Sequence, residues 1–335
     1  MGYRAAVRAI AIVNGNARRL RDRQRARLAR ALPGAVVFTR SLEEARGAIR
    51  AEVARGVDLI VLGGGDGTVV MGLTLIGEAC RGAGRPEPAI GVLRLGSANA
   101  IADAVGASAD PAADLARLAR GEGAWRAMRM LSVLGFRAPF VGVGADAQVL
   151  EDREAIARVV ERIPGARWLV GDAALSALSI ARRSVQRLAA PSRVHAVISN
   201  LGAPAIEMKR GGPTGRSIAA GEVLWKGACT LVAGSTTPYF GFGLKLFAFA
   251  GARGDRFHLR CGDAGWLDLL RGAPAAFRGE HFSERISDFL CDHVRIQLED
   301  EVAIEAGGEL LGHRRTLEIA LGGPVIAASL AGDRR

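Results

Sequence analysis

The residues best suited to chemistry in this chain are Leu59-Ile60-Val61-Leu62-Gly63-Gly64-Gly65-Asp66-Gly67-Thr68-Val69, an apolar run that meets glycines, an acid and a hydroxyl. Such a strand-to-helix turn aims free backbone N–H groups and a helix N-terminus at an anion. Glycine is needed where a phosphate must approach the main chain without meeting a Cβ. The loop lacks the Gly-Lys-Ser/Thr ending of a Walker loop, and Thr68 stands where the dinucleotide fingerprint has its third glycine. Asp66 makes the distinction matter. A carboxylate beside phosphates repels them unless a Mg²⁺ bridges the two, so an acid at the centre of such a loop implies metal-nucleotide chemistry. The bland alternative is a tight turn in which Asp66 or Thr68 only caps the helix. Three consecutive glycines argue against it.

Two further turns belong with the first. Gly91-Val92-Leu93-Arg94-Leu95-Gly96-Ser97-Ala98-Asn99-Ala100 repeats the order of apolar run, glycine and helix, and Asn14-Gly15-Asn16 follows the first apolar run. In an open parallel sheet, loops after neighbouring strands converge at one edge, where they can clamp a single nucleotide.

The elements that must position these loops follow from periodicity. Residues 9–13, 36–39, 59–62 and 90–93 read as buried strands. Helices are expected at residues 17–32, 42–55 and 69–80, the second opened by a capping box of Ser41 with Glu44, and another after Asp110-Pro111. Residues 1–125 thus form an open α/β domain. Beyond Trp125, alternating runs at residues 194–199, 223–232, 294–298 and 302–305 suggest an antiparallel β domain over residues 126–325, with a C-terminal tail able to return to the first domain. A helical insertion at residues 152–189, broken at Pro164-Gly165, interrupts it. Ordinary packing explains that insertion, and a lipid-facing surface is its alternative.

Composition sets the partners. The formal charge is +11, from 45 Lys+Arg against 34 Asp+Glu, with seven arginines between Arg18 and Arg30. Anionic partners are expected, acidic lipid ahead of nucleic acid, because only 5% of residues are aromatic and none interleaves with the arginines to offer a stacking surface. A solvated helix face accounts for the same run without any partner. Cys80, Cys229, Cys261 and Cys291 are too scattered for a zinc spacing or a disulfide framework, which fits a reducing cytoplasm. The apolar run at residues 9–13 is too short for a secretory signal, and the uncharged stretch at residues 227–244 reads as strand plus loop because glycines and Pro238 punctuate it.

In this order the motifs resemble the diacylglycerol kinase and sphingosine kinase family of lipid kinases, whose catalytic domain is related to NAD kinases. Gly64-Gly65-Asp66-Gly67-Thr68 is the shared loop; Asn14-Gly15-Asn16 resembles the opening Asn-Pro loop, and Thr39 falls at a nucleotide-contacting Thr. Gly96-Ser97-Ala98-Asn99 is similar to the Gly-Thr-x-Asn segment, and Val143-Gly144-Ala145-Asp146-Ala147 to the Gly-Phe-Asp-Ala segment. Tyr239 to Lys245 looks like the glycine-rich Tyr-Gly-Gly-Gly stretch, and Gly307-Gly308-Glu309 matches the closing Asp-Gly-Glu. The resemblance implies an α/β nucleotide domain joined to a β-sandwich, with ATP and Mg²⁺ meeting a lipid alcohol such as diacylglycerol between them. It further implies nucleotide contacts from the three loops, metal contacts at Asp66 and Asp255, and Glu309 as proton acceptor. A peripheral position at the inner, anionic membrane surface follows, and a homodimer is left open.

The sequence departs from the family at definite places. Val70 or Met71 replaces the Asn after the glycine loop, Leu95 and Ser97 replace a Pro and a Thr, Gly307 replaces an acid, and Gly254-Asp255 reverses an Asp-Gly pair. Two alternatives follow. One is a homologue that binds nucleotide or lipid without catalysis. The other is an NAD kinase, similar at Gly234-Ser235-Thr236-Thr237-Pro238-Tyr239 but lacking the Asn-Glu pair expected there.

Overall fold

The four leading apolar runs become the parallel strands β1 (Ala9–Asn14), β2 (Val36–Thr39), β3 (Leu59–Gly64) and β4 (Ala89–Arg94), in spatial order β4-β3-β1-β2. The runs are apolar without a break because both faces of this sheet are covered. On one face Ala11, Val13, Leu59, Val61 and Leu93 pack with Leu28 of α1 (Asp22–Ala31) and with Leu115 and Leu118 of α5 (Pro111–Ala119). On the other, Ile10, Ile12, Ile60, Leu62 and Val92 pack with Ile49 and Val53 of α2 (Leu42–Ala54) and with Leu73 and Ile76 of α3 (Asp66–Ala83). The computed structural model describes residues 8–144, 147, 150, 193–241, 243–264 and 266–330. The expected insertion at residues 152–189 lies outside these, as do Ala145, Asp146 and Phe242.

Local chemistry sets the helix ends. Ser41 Oγ accepts the Glu44 N–H at 3.1 Å, so the expected cap forms, but the return bond of the capping box shifts by one residue: Glu44 accepts the Arg40 N–H at 2.7 Å in place of that of Ser41. Asp110 Oδ1 accepts the N–H groups of Ala112 and Ala113, and Pro111 begins α5. α1 starts later than expected, because residues 14–20 are drawn into turns by Ala17 N–H to Asn14 O and Leu20 N–H to Ala17 O. α3 starts earlier, so that Asp66 is its first residue. A short helix α4 (Ala100–Ala104) follows the second glycine loop.

The remaining strands are β5 (Ala124–Val133), β6 (Phe136–Ala138), β7 (Phe140–Gly144), β8 (Val194–Asn200), β9 (Ala205–Lys209), β10 (Gly212–Ile218), β11 (Val223–Cys229), β12 (Leu231–Ser235), β13 (Phe257–Gly262), β14 (Ile286–Cys291), β15 (His293–Ala306) and β16 (Glu309–Ser329). They pair antiparallel with one another, and α6 (Trp266–Arg278) lies between β13 and β14. The expected strand at residues 223–232 divides at Thr230. The runs at 294–298 and 302–305 fuse into β15, whose register shifts between Gln297 and Val302. β15 meets β8 through Val294–Leu298 and β7 through Ile304–Ala306. β16 pairs with β15, then with β5, and runs parallel to β4 where Ala327 faces Ile90. Hydrogen bonding therefore carries the Gly307-Gly308 turn, at the start of β16, to the same structure that holds the glycine loops. Among the described residues no helix is long and apolar enough to cross a membrane.

Candidate functional site

The parallel strands end side by side at Asn14, Thr39, Gly64 and Arg94, and the loops after them touch. A Cβ on Gly96 would fall 2.3 Å from the Cα of Gly65, so the two glycine loops meet backbone to backbone. Asn99 stands in the left-handed region at φ 56°, and its side chain both accepts from the Gly96 N–H and donates to the Gly96 carbonyl, each at 2.9 Å. Asn99 thus shapes the second loop from within. Asn14 Nδ2 donates to Thr68 Oγ1 at 3.1 Å, Gly15 N–H donates to Thr39 O at 2.6 Å, and Asn16 Nδ2 donates to Arg40 O at 3.0 Å. Thr39 is buried and its hydroxyl donates to Val13 O at 3.5 Å. Ser97 Oγ accepts from Arg18 at 3.2 Å.

Asp66 is buried beneath this junction, with one carboxylate oxygen accepting the Ala100 N–H at 3.0 Å and the other the Ile101 N–H at 2.9 Å. The acid of the first glycine loop therefore caps the helix that follows the second. Burial pushes its carboxyl above the ordinary range, while the Ile101 and Ala100 N–H groups pull the other way.

Glu309 reaches the loops from the far end of the chain. Ala306 pairs with Glu309 across a two-residue turn of Gly307 and Gly308, whose φ values are 57° and 84°. Two consecutive positive φ values make a type I′ hairpin turn, which favours glycine. Glu305 Oε2 accepts the Gly308 N–H at 2.9 Å and Gly307 N–H donates to Phe140 O at 3.0 Å, so the turn is tied at both ends. The exposed Glu309 side chain lies on Gly67: a Cβ there would stand 1.8 Å from Glu309 Oε1. Gly307 has a comparable neighbour, since its absent Cβ would stand 2.2 Å from Val70 Cγ2. Two of the departures seen in the sequence, the apolar residue after the glycine loop and the glycine in place of an acid, are thus one contact.

Glu309, Gly67 and Thr68 line a cleft with Asn14, Asn16 and Thr39, and its apolar floor includes Ile49, Leu62 and Leu75. The cleft opens to solvent and encloses about 210 Å³, below the roughly 300–1,000 Å³ of typical ligand clefts. Arg40, Ser41 and Leu42 at the start of α2 also line the wall; Ser41 was expected only as a helix cap, and the other two were not singled out in the sequence. Their only signal was adjacency to Thr39.

Asp255 is not brought into this group. It is exposed, paired with Arg253 at 2.9 Å and Arg256 at 3.0 Å, and these arginines hold its carboxyl down at about 2, the Arg253 hydrogen bond first. Among the described residues no three His, Cys, Asp or Glu side chains converge as a metal cage. The donor set fits a Mg²⁺ that arrives on substrate phosphates and takes one or two carboxylates, the usual manner of that ion.

Comparison with known proteins bears on the family resemblance and on the fold. Residues 8–133, which carry all three loops, match the diacylglycerol kinase catalytic domain. Over these residues the chain is similar to that family. The matched stretch runs from β1 to the end of β5, and Glu309 lies beyond it. A diacylglycerol kinase structure from Bacillus anthracis str. Sterne superposes with a TM-score of 0.61 at 15% identity, covering 96% of this chain and 97% of the other. Two more structures from that organism give TM-scores of 0.65 and 0.62 at 16% and 15% identity over the same shares. At these identities the likeness concerns the fold, and it extends through the second half. No curated protein matches the sequence.

Proposed function

We propose that this protein is an ATP-dependent lipid kinase that transfers the γ-phosphoryl group of ATP to a primary hydroxyl of diacylglycerol or a related lipid alcohol. The observation that carries this reading is the contact of Glu309 with Gly67: a carboxylate from the last strand stands on the glycine loop, in an open cleft that Asn14, Asn16, Thr39 and Thr68 also line. The glycine loops and Asn14, Gly15, Asn16 and Thr39 cradle the nucleotide. A Mg²⁺ bound with the phosphates would offset part of their charge, and Asp66, beside Gly67 in the loop, would be the carboxylate to hold it. A role for Asp255 at the metal requires its arginine pairs to open.

The chain's own part in the reaction is positioning and proton handling. Phosphoryl transfer is loose, so most of the rate comes from holding the acceptor hydroxyl in line and stabilising charge. As the acceptor oxygen bonds to the γ-phosphorus, its proton passes to Glu309 and the bond to the bridging oxygen of ADP breaks. With this reading goes a division of labour in which residues 1–125 bind nucleotide and residues 126–325, folded as a β-sandwich from the branching of β15 and β16, admit the lipid. The excess of positive charge suits work at the anionic inner surface of the membrane, from the cytoplasm.

Incubation with ATP labelled in its γ-phosphate, Mg²⁺ and a panel of lipid alcohols in mixed micelles tests the proposal. Label should appear in a phospholipid and depend on the metal. Label in NADP when NAD is supplied, with none in any lipid, would overturn it.

A further inference from the structure

Arg40 stands out because the cleft contains little to balance a polyphosphate. Among the described lining residues it is the one Lys or Arg, and Glu309 in the same lining carries the same sign as the ligand proposed above. A nucleoside triphosphate bears three to four negative charges, and bringing it beside a carboxylate demands cationic partners. A divalent ion on the phosphates supplies part of that demand. A guanidinium supplies the rest well, since it offers a planar fork to phosphate oxygens.

The position of Arg40 is fixed while its charged end is not. Its N–H donates to Glu44 at 2.7 Å and its carbonyl accepts from Asn16 at 3.0 Å, so the backbone is held on both sides. The Cγ of its stem lies 3.5 Å from where a Cβ on Gly15 would be, which sets the side chain against the Asn14-Gly15-Asn16 turn. Among the described residues no acceptor engages its guanidinium. The other arginines of this edge differ. Arg25 donates to Gly15 O at 2.7 Å and lies over the Phe38 ring at 4.9 Å, and Arg18 donates to Ser97. Those two brace the loops, which leaves Arg40 for a ligand.

We propose that Arg40 contacts the polyphosphate of the bound nucleotide and makes the cleft select for phosphate charge, a proposal that rests on the nucleotide reading above. The test is binding of ATP, ADP and adenosine, with Mg²⁺, to the full chain and to Arg40→Ala and Arg40→Lys, measured by calorimetry. Arg40→Ala should weaken ATP by about tenfold or more, the size of a lost charge-assisted hydrogen bond. It should weaken ADP less and leave adenosine unchanged, with Arg40→Lys in between for ATP. An exposed side chain without a protein acceptor should leave the melting temperature as in the parent. Equal ATP affinity in parent and Arg40→Ala overturns the role of Arg40 and leaves the nucleotide reading intact. Equal weakening of ATP and adenosine also overturns it, since Arg40 then acts through the shape of the turn. A parent protein that binds neither ATP nor ADP removes the nucleotide reading itself and this proposal with it.

Discussion

At the scale of single residues, the geometry turns on side chains that are missing. Glycine at position 67 leaves the space that Glu309 fills, so Gly67→Ala must displace the carboxylate. A shift of about 1 Å at a reacting group costs about 100-fold in rate, so kcat for lipid phosphorylation should fall by about that much while the protein stays folded. An activity within threefold of the parent would separate Glu309 from the chemistry. Gly307 gives a stability counterpart. Gly307→Ala sets a methyl against Val70 in a turn with positive φ and should cost about 1–3 kcal/mol in urea unfolding. Val70→Ala added to it should return part of that loss. If the two costs simply add, the residues do not touch as described. The place of the loops in the fold was legible from residue types alone, because an apolar run that meets glycines, an acid and a hydroxyl marks the turn from a buried strand into a helix. What sequence could not reveal was the direction of the Asp66 carboxylate, which depends on α4 lying beneath the loop, or that Val70 and Gly307, 237 positions apart by their numbers, are neighbours.

At the scale of elements, the parallel half could be read closely because each of its strands is covered on two faces and each helix on one, and both patterns are written locally. The Ser41 cap of α2 is the clearest case, and its removal by Ser41→Ala should cost about 1 kcal/mol in unfolding free energy. An unchanged stability would mean that the cap contributes nothing. The antiparallel half was read less well. Its strands were seen as short alternating runs, yet whether two runs fuse, as in β15, or divide, as at Thr230, depends on partners distant in sequence. α6 was not anticipated, and Pro274 inside it removes a backbone donor from a helix interior. A buried polar cluster was also hidden: Arg260 donates to Asp288 at 2.7 Å, and His258 Nε2 lies 2.9 Å from the same carboxylate. Burial drives the Asp288 carboxyl up, but the His258 hydrogen bond and the Arg260 charge outweigh it and hold it below the ordinary carboxylate value. Burial is the main reason that His258 lies below its own ordinary value, against the pull of Asp288. Both groups therefore bind protons less readily folded than unfolded. Their contribution is complete above the unfolded values and is lost as pH falls, from about 6.5 downward for His258 and from about 3.9 downward for Asp288. Melting temperature should accordingly drop between neutral pH and pH 4, and a rise over that interval would contradict the cluster's role.

At the scale of the whole molecule, one strand decides whether the two halves can act together. β16 begins at Glu309 and ends beside β4, so the carboxylate and the glycine loops share a hydrogen-bonded frame although most of the chain separates them. The sequence suggested a returning tail without its register, because parallel pairing to β4 leaves no local mark. The match to the diacylglycerol kinase catalytic domain ends at residue 133, so Glu309 enters the account through geometry and motif order. The net charge of +11 adds an expectation for the intact protein: it should sediment with vesicles containing anionic lipid, less so as salt rises toward 1 M. Equal binding to neutral vesicles would remove charge as the cause.

The most direct measurement is the rate of γ-phosphoryl transfer from ATP to diacylglycerol at saturating concentrations of both, in the parent and in Glu309→Gln, with ATP affinity measured alongside. The account expects the parent to turn over and kcat to fall by about 10²–10⁴-fold in the variant, with ATP binding unchanged. A Glu309→Gln protein that transfers phosphate as fast as the parent would contradict it.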